Sequence, residues 1–150
     1  MMLIKVTNKN LNDVLEKAIE VLNSGGIIAF PTETFYGLGV RFDNEDSLKR
    51  LYELKNRPEE KPMPLIIGNI AMLSVITSDV NDTAKKLMDR FWPGPLTIIL
   101  NAKKNLSKYI TAETGRVAAR IPGESFALQL AKKAGFPITA TSANLTEMPP

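Results

Sequence analysis

Two cations separated by one residue, Lys55 and Arg57, have side chains suited to binding phosphate. An extended backbone would place both on one face, because side chains alternate along a strand. Arginine offers a planar fork to phosphate oxygens and lysine a compact charge, and Lys61 follows a few residues later. A solvated loop neutralised by Glu59 and Glu60 fits the same residues. Taken alone, the segment leaves a polyphosphate site and a charged surface loop both open.

Small hydroxyl and amide residues close a predicted strand near the other end of the chain. Ser142 and Asn144 share a face by the same alternation, and their side chains suit contacts with ribose, base or phosphate. An ordinary turn stabilised by a Ser or Asn side chain fits nearly as well. This segment therefore also leaves two interpretations open.

The polar segment 31–39 follows the apolar run 27–30, which is predicted to be a central strand buried on both faces. Open α/β sheets bind ligands at the carboxyl ends of their strands, so the position favours a binding loop. Two threonine hydroxyls can hydrogen-bond a ligand, and Gly37 and Gly39 permit close approach of the backbone. The alternative is a tight turn with a buried aromatic pair. The glycine spacing matches neither the dinucleotide nor the Walker motif.

Arg120 is a charge within the otherwise apolar predicted strand 116–121. An unpaired charge there would cost free energy, so either an acidic side chain of the protein or a ligand carboxylate is expected to pair with it. The lysines of the basic loop 102–108 lack interleaved aromatic residues, which favours a solvated surface over an RNA site.

The elements that must position these residues follow from hydrophobic periodicity and capping residues. Their alternation predicts an α/β sheet covered by helices, in one domain spanning residues 1–150. The helices are predicted at 11–22, 44–56, 69–76, 81–91 and 124–134, and the strands at 27–30, 64–67, 97–100, 116–121 and 137–142.

The chain has 150 residues, a net charge of +3 and neither Cys nor His. The lack of Cys excludes disulfides, thiolate nucleophiles and cysteine zinc sites. The lack of His excludes Ser-His-Asp and Cys-His mechanisms, so catalysis must use other side chains, the backbone or a metal carried by a ligand. The apolar runs are far shorter than the ~20 residues that cross a bilayer, and no secretory signal is recognisable. We therefore expect a cytoplasmic protein without a membrane partner.

Five segments in order resemble the YrdC-like family of threonylcarbamoyl-AMP synthases: PTETFYGLG at 31–39, KNRP at 55–58, WPGPLT at 92–97, AARIP at 118–122 and TSAN at 141–144. They include the family's K-x-R and S-x-N signature. The resemblance implies a twisted open sheet of mixed strands flanked by helices, with a concave basic ligand-binding face. It also implies formation of threonylcarbamoyl-AMP and pyrophosphate from L-threonine, bicarbonate and ATP, for the threonylcarbamoyladenosine modification of tRNA.

The same resemblance implies roles for individual residues. Lys55 and Arg57 would be catalytic, and Thr32 and Arg120 would bind threonine, with Arg120 meeting its carboxylate. Arg116 stands where the family often has a smaller polar residue, so it either adds a phosphate contact or obstructs the site. Mg²⁺ is expected with the ATP, and no structural metal is expected in the protein. The ATP site would be lined by Arg57, Lys61, Arg116, Ser142 and Asn144.

The implied macromolecular partners are tRNA or double-stranded RNA and the downstream tRNA threonylcarbamoyl transferase. The main alternative is a module that binds double-stranded RNA or tRNA without adenylating activity, because family members resemble proteins with a concave basic surface. A carbamoyl-adenylate site like that of hydrogenase-maturation carbamoyltransferases is a second one, although those proteins carry Cys-containing segments that this chain lacks. Family domains usually continue well past the S-x-N segment, so the domain is expected to be incomplete at its C-terminus.

Overall fold

Side chains that accept backbone N–H groups mark the starts of three helices in the computed structural model, which describes residues 1–149. Asn44, Asn81 and Ser125 each accept from the N–H group three residues later. The predicted helices are present, although the short one near residue 70 is a 3-10 helix and a further short helix follows the basic loop. The helices are α1 (Leu11–Asn23), α2 (Glu45–Lys55), α3 (Asp82–Phe91), α4 (Lys108–Thr111) and α5 (Phe126–Ala134), with the 3-10 helix at Ile70–Val75.

Seven strands within the described residues form two sheets, which confirms a mixed α/β fold flanked by helices but divides it between two sheets. The strands are β1 (Ile28–Pro31), β2 (Tyr36–Gly39), β3 (Leu65–Ile66), β4 (Ile98–Asn101), β5 (Arg116–Arg120), β6 (Ile138–Thr139) and β7 (Thr141–Ser142). The hairpin sheet has the order β1-β2-β7 and is antiparallel throughout. The mixed sheet has the order β4-β5-β3-β6, in which β3 and β5 are parallel and the other neighbours antiparallel.

The segment predicted as a central strand followed by a long loop is instead a β-hairpin. β1 lies at the edge of the hairpin sheet, and Phe30 is its one buried side chain, so the predicted burial on both faces is wrong. Residues 36–39 form β2 and pair with β1, which limits the loop to residues 32–35. The strand pairing decides this outcome, because the glycine-rich sequence of β2 has little strand preference of its own.

Gly39 allows the hairpin to approach the mixed sheet closely. A Cβ at this position would lie 2.6 Å from the carbonyl oxygen of Thr139. The amide of Thr139 donates to the carbonyl of Val40 at 3.0 Å, which fixes the separation of the two backbones. The two sheets are therefore in direct contact at the end of β2.

The predicted strand 137–142 is divided between the two sheets. β6 pairs with β3 in the mixed sheet, and β7 pairs with β2 in the hairpin sheet. The change of partner occurs at Ala140, whose amide donates to the carbonyl of Pro64 at 3.0 Å. One short segment thus joins both sheets and carries the chain to the predicted S-x-N residues.

Two apolar cores lie on the two faces of the mixed sheet. Leu65, Val117 and Ala119 belong to the larger core, which also contains side chains of α2 and α3. Ile66 and Ile138 point to the opposite face and pack with α1 and α5 in the smaller core. None of the helices in residues 1–149 has the length and apolar composition needed to cross a bilayer.

Candidate functional site

Lys55 brings the K-x-R and S-x-N segments together. It is the last residue of α2 and only 2% exposed, and its Nζ donates to the carbonyls of Ser142 and, at 2.6 Å, of Asn144. The amide of Thr146 in turn donates to the carbonyl of Lys55 at 3.0 Å. Burial, together with the positive charge of Arg57, lowers the pKa of Lys55. The predicted convergence of the two segments is therefore present, and a buried ammonium group holds it.

The directions of these side chains differ from the predicted alternation. Asn56 adopts the left-handed conformation, with φ 49° and ψ 44°, and caps the C-terminus of α2. Lys55 and Arg57 are consequently separated by a helix end and not by an extended residue. The expectation that alternation places them on one face is wrong, although they remain neighbours.

Arg57 stabilises the loop that follows α2. Its Nε donates to the carbonyl of Lys61 at 3.1 Å, and its Nη2 donates to the carbonyl of Pro62 at 2.8 Å. The Tyr52 hydroxyl lies 2.5 Å from the carbonyl oxygen of Lys61 and 2.7 Å from that of Tyr109, and its single proton can be donated to either. Burial raises the pKa of Tyr52. Loop 57–62 is thus held from two sides by hydrogen bonds to its carbonyl groups.

The charges of this loop have local partners. Lys61 lies 3.5 Å from Glu147, and Glu59 lies 3.6 Å from Lys108. Lys61 therefore faces the segment after Asn144, as a residue of a shared site would. These exposed ion pairs are also compatible with the charged surface loop that the sequence leaves open.

The strand that carries Ser142 does not extend to Asn144. Ser142 is exposed in β7, opposite Gly37 of β2. The chain bends after Ser142, and the Asn144 amide donates to the carbonyls of Leu145 and Met148. Its Oδ1 is buried without a hydrogen-bond partner in the described residues. The extended backbone on which the predicted shared face depends therefore ends at Ser142, and Ser142 is the more exposed residue of the pair.

Thr32 closes the hairpin loop with its own side chain. Its hydroxyl donates to the carbonyl of Phe35 at 2.6 Å and accepts from the amide of Thr34 at 3.2 Å. Phe35 and Tyr36 are 58% and 62% exposed, so the alternative of a turn with a buried aromatic pair is wrong. The methyl group of Thr32 lies beside Gly37, where a Cβ would be 3.5 Å from it. Because Gly37 pairs with Ser142, Thr32 lies next to the S-x-N segment.

Arg120 pairs with Glu33, a residue that the sequence did not single out. Arg120 Nη1 lies 2.9 Å from Glu33 Oε1, and the two side chains are 19% and 22% exposed. Of the two expected partners, a protein carboxylate is therefore the one observed. One feature of the sequence could have identified Glu33 as the partner: it is the sole acidic residue of segment 31–39 and directly follows Thr32.

Arg116 and Arg120 lie on the same face of β5, opposite the larger core. The register pairs Asn101 with Arg116 and Ile99 with Ala118, so these four residues and Arg120 share one face. We call these five residues the open face. Ile99 is 63% exposed, so no helix covers this part of the face within residues 1–149. Arg116 is exposed at one end of it, roughly 13 Å along the strand from Arg120.

The surface beside Arg57 contains a shallow cavity of about 260 Å³. Tyr52, Asn56 and Tyr109 line it together with Arg57. Ser142 and Arg120 lie outside its lining, so the cavity does not unite the predicted site residues. Within residues 1–149, no group of three or more Asp, Glu, His or Cys side chains is arranged to hold a metal ion.

Comparison with known proteins gives one family for most of the chain. The Sua5/YciO/YrdC family model, described as "Telomere recombination", matches residues 20–150. A threonylcarbamoyl-AMP synthase from Bacillus subtilis is 43% identical over 136 residues, covering 90% of this chain and 39% of that protein. A Sua5 variant from Pyrococcus abyssi superposes with a TM-score of 0.93 at 35% identity, covering 99% of this chain and 43% of that one. The structure of P. abyssi Sua5 complexed with L-threonine superposes with a TM-score of 0.85 at 37% identity, covering 90% and 40%.

The chain spans about two fifths of the length of these relatives. The match includes all five sequence segments that carry the resemblance. The matched part of this chain therefore contains the residues of the candidate site.

Proposed function

Because the chain belongs to the Sua5/YciO/YrdC family, we propose that it carries the substrate sites of a threonylcarbamoyl-AMP synthase. In the proposed reaction, L-threonine and bicarbonate give a carbamate and water. A carbamate oxygen then attacks the α-phosphorus of ATP, which forms threonylcarbamoyl-AMP and releases pyrophosphate. The similarity to the B. subtilis synthase and to the threonine-bound Sua5 structure supports this proposal.

The observation that carries the proposal is the contact of Lys55 with the carbonyls of Ser142 and Asn144. An ammonium group has three N–H donors, and these contacts use two of them. The third has no hydrogen-bond partner among the described residues, and we propose that it meets a phosphate oxygen. Arg57 adds positive charge next to this point, where burial and this charge together lower the pKa of Lys55, and Lys61 pairs with Glu147 in the segment after Asn144. Such a group can align ATP and stabilise the charge that develops on its phosphates.

Thr32 and Arg120 are the residues that we propose for the threonine side of the reaction. Arg120 provides a planar fork for a carboxylate. Thr32 lies beside Gly37, which pairs with Ser142, so the threonine and nucleotide residues occupy neighbouring parts of the surface. A carbamate formed next to Thr32 would thus lie close to the phosphates of an ATP bound at Lys55.

Magnesium enters the proposal as part of the ATP substrate. The acidic residues in the described part of the chain do not form a metal site. We propose that the ATP phosphates carry Mg²⁺ and that it neutralises their charge during the attack. The adenylate product would pass to a transferase that acts on tRNA.

The proposed activity is tested by measuring pyrophosphate release from ATP with threonine or bicarbonate omitted in turn. Release is expected only with all three substrates, and Arg57→Ala is expected to abolish it. The matched control is Arg90→Ala, an exposed arginine on α3. Absence of release with all substrates present would contradict the activity. RNA binding that falls steeply with salt and ignores ATP and threonine would favour an RNA-binding module instead.

A further inference from the structure

The ion pair between Glu33 and Arg120 joins two elements that are distant in the chain. Glu33 belongs to the hairpin loop 32–35, and Arg120 ends β5 of the mixed sheet. The closest contact, of 2.9 Å, joins one guanidinium nitrogen to one carboxylate oxygen. About a fifth of each side chain remains exposed, 19% for Arg120 and 22% for Glu33. The pair is therefore mostly shielded from water but still accessible at the surface.

Stability alone is a weak explanation for this pair. A shielded ion pair gains little net free energy, because removing both charges from water offsets most of their attraction. The loop also has its own closure, through the Thr32 hydroxyl and the Phe35 carbonyl. Since the loop has this closure of its own, a role in binding accounts for the ion pair better.

The pair has unused capacity to bind a ligand. A guanidinium group carries five N–H donors, and a carboxylate has about four acceptor sites. A contact between one nitrogen and one oxygen leaves most of these free. A positive and a negative group side by side match the two charged groups of a free α-amino acid.

We propose that Glu33 binds the α-ammonium group of threonine while Arg120 binds its carboxylate. This inference rests on the proposed function and adds to it a residue that recognises the substrate amine. It explains why the acidic Glu33 lies beside Arg120, although Arg120 must attract the carboxylate of threonine. It also predicts selection for free amino acids over analogues that lack either charge. Once the amine has become a carbamate it no longer carries a positive charge, so the attraction to Glu33 weakens as the reaction proceeds.

The test measures the binding of three probes to the 150-residue chain and to Glu33→Gln by calorimetry. The probes are L-threonine, 2,3-dihydroxybutanoate, in which a hydroxyl replaces the ammonium, and L-threoninol, which lacks the carboxylate. Glu33→Gln is expected to weaken threonine binding about tenfold or more, as the loss of a charged hydrogen bond would. It should not weaken the binding of dihydroxybutanoate, which has no ammonium group for Glu33 to bind and carries a negative charge that Glu33 repels. Glu124→Gln, an exposed change at the start of α5, is the matched control.

Each other outcome has a distinct meaning. Tighter threonine binding in Glu33→Gln would mean that Glu33 competes with the substrate for Arg120, and it would overturn the inference. An equal loss for threonine and dihydroxybutanoate would overturn it too, because Glu33 would then only orient Arg120. Unchanged threonine binding would also overturn it. Failure of the wild-type chain to bind threonine would overturn the proposed function itself.

Glu33→Asp provides a second variant if Glu33→Gln does not fold. It keeps the negative charge on a shorter side chain, so it should bind threonine more weakly than wild type. Its preference for threonine over dihydroxybutanoate should remain. Loss of that preference in a folded Glu33→Asp chain would contradict the inference.

Discussion

The ammonium group of Lys55 lies 2.6 Å from the carbonyl oxygen of Asn144, a residue 89 positions further along the chain. Together with the contact to the Ser142 carbonyl, this bond attaches the end of α2 to the segment that follows β7. Lys55 therefore stabilises the candidate site as well as placing a charge in it. A substitution at Lys55 should therefore affect both the stability of the fold and the binding of a ligand.

Replacing Lys55 with methionine should destabilise the protein. Methionine has a similar length but cannot donate, so the carbonyls of Ser142 and Asn144 lose a charged partner. The free energy of unfolding should fall by roughly 1–3 kcal/mol. Urea unfolding measures the change, with the exposed Lys86→Met as control. Equal stability of the two variants would show that the contacts with Lys55 contribute little.

Adding a methyl group at Gly39 should push the two sheets apart. The new Cβ would lie 2.6 Å from the Thr139 carbonyl oxygen and 2.8 Å from the Phe30 ring, and the backbone cannot move away easily. Gly39→Ala should therefore lower the free energy of unfolding by about 1–3 kcal/mol. Gly123→Ala is the matched control, because its Cβ would find its nearest atom at 3.9 Å. If both variants unfold at the same urea concentration, the sheets are less tightly packed than the structure indicates.

The helices could be predicted from the sequence because their signals are local. Asn44, Asn81 and Ser125 cap their helices through residues only three positions away. β2 could not be predicted in this way, since its two glycines disfavour a strand and only its pairing with β1 and β7 creates one. The large-scale pattern of helices and strands was thus predictable, and the division into two sheets was not.

The contact between the K-x-R and S-x-N segments was predictable from the sequence, but the directions of their side chains were not. The order of the motifs indicated that Lys55 and Ser142 belong together, and they are in contact. The directions of Arg57 and Asn144 relative to them depend on the left-handed Asn56 and on the bend after Ser142. Simple alternation along a strand includes neither. Glu33 was missed because its pairing with Arg120 exists only once the hairpin packs on the mixed sheet.

Stability should fall at high pH through Tyr52. Burial raises its pKa, so the folded state keeps the phenol proton more tightly than the unfolded state. The stabilisation is complete below the ordinary tyrosine pKa of about 10 and is lost as pH rises through the folded value. Urea unfolding of wild type between pH 8 and 11 should show this loss, and Tyr52→Phe should show a smaller one. The lowered pKa of Lys55 acts in the opposite direction, but both proteins contain it, so their difference isolates Tyr52.

Threonine and ATP binding should respond to different arginines. Arg120→Lys removes the planar fork while keeping the charge, so threonine binding should weaken about tenfold and ATP binding should not change. Arg57→Lys should do the reverse, because Arg57 holds the loop next to Lys55 through its contacts with the Lys61 and Pro62 carbonyls. Calorimetric titration of each variant with each ligand separates the two effects. A loss of both ligands in both variants would mean that Arg57 and Arg120 do not act on different ligands, and it would contradict this prediction.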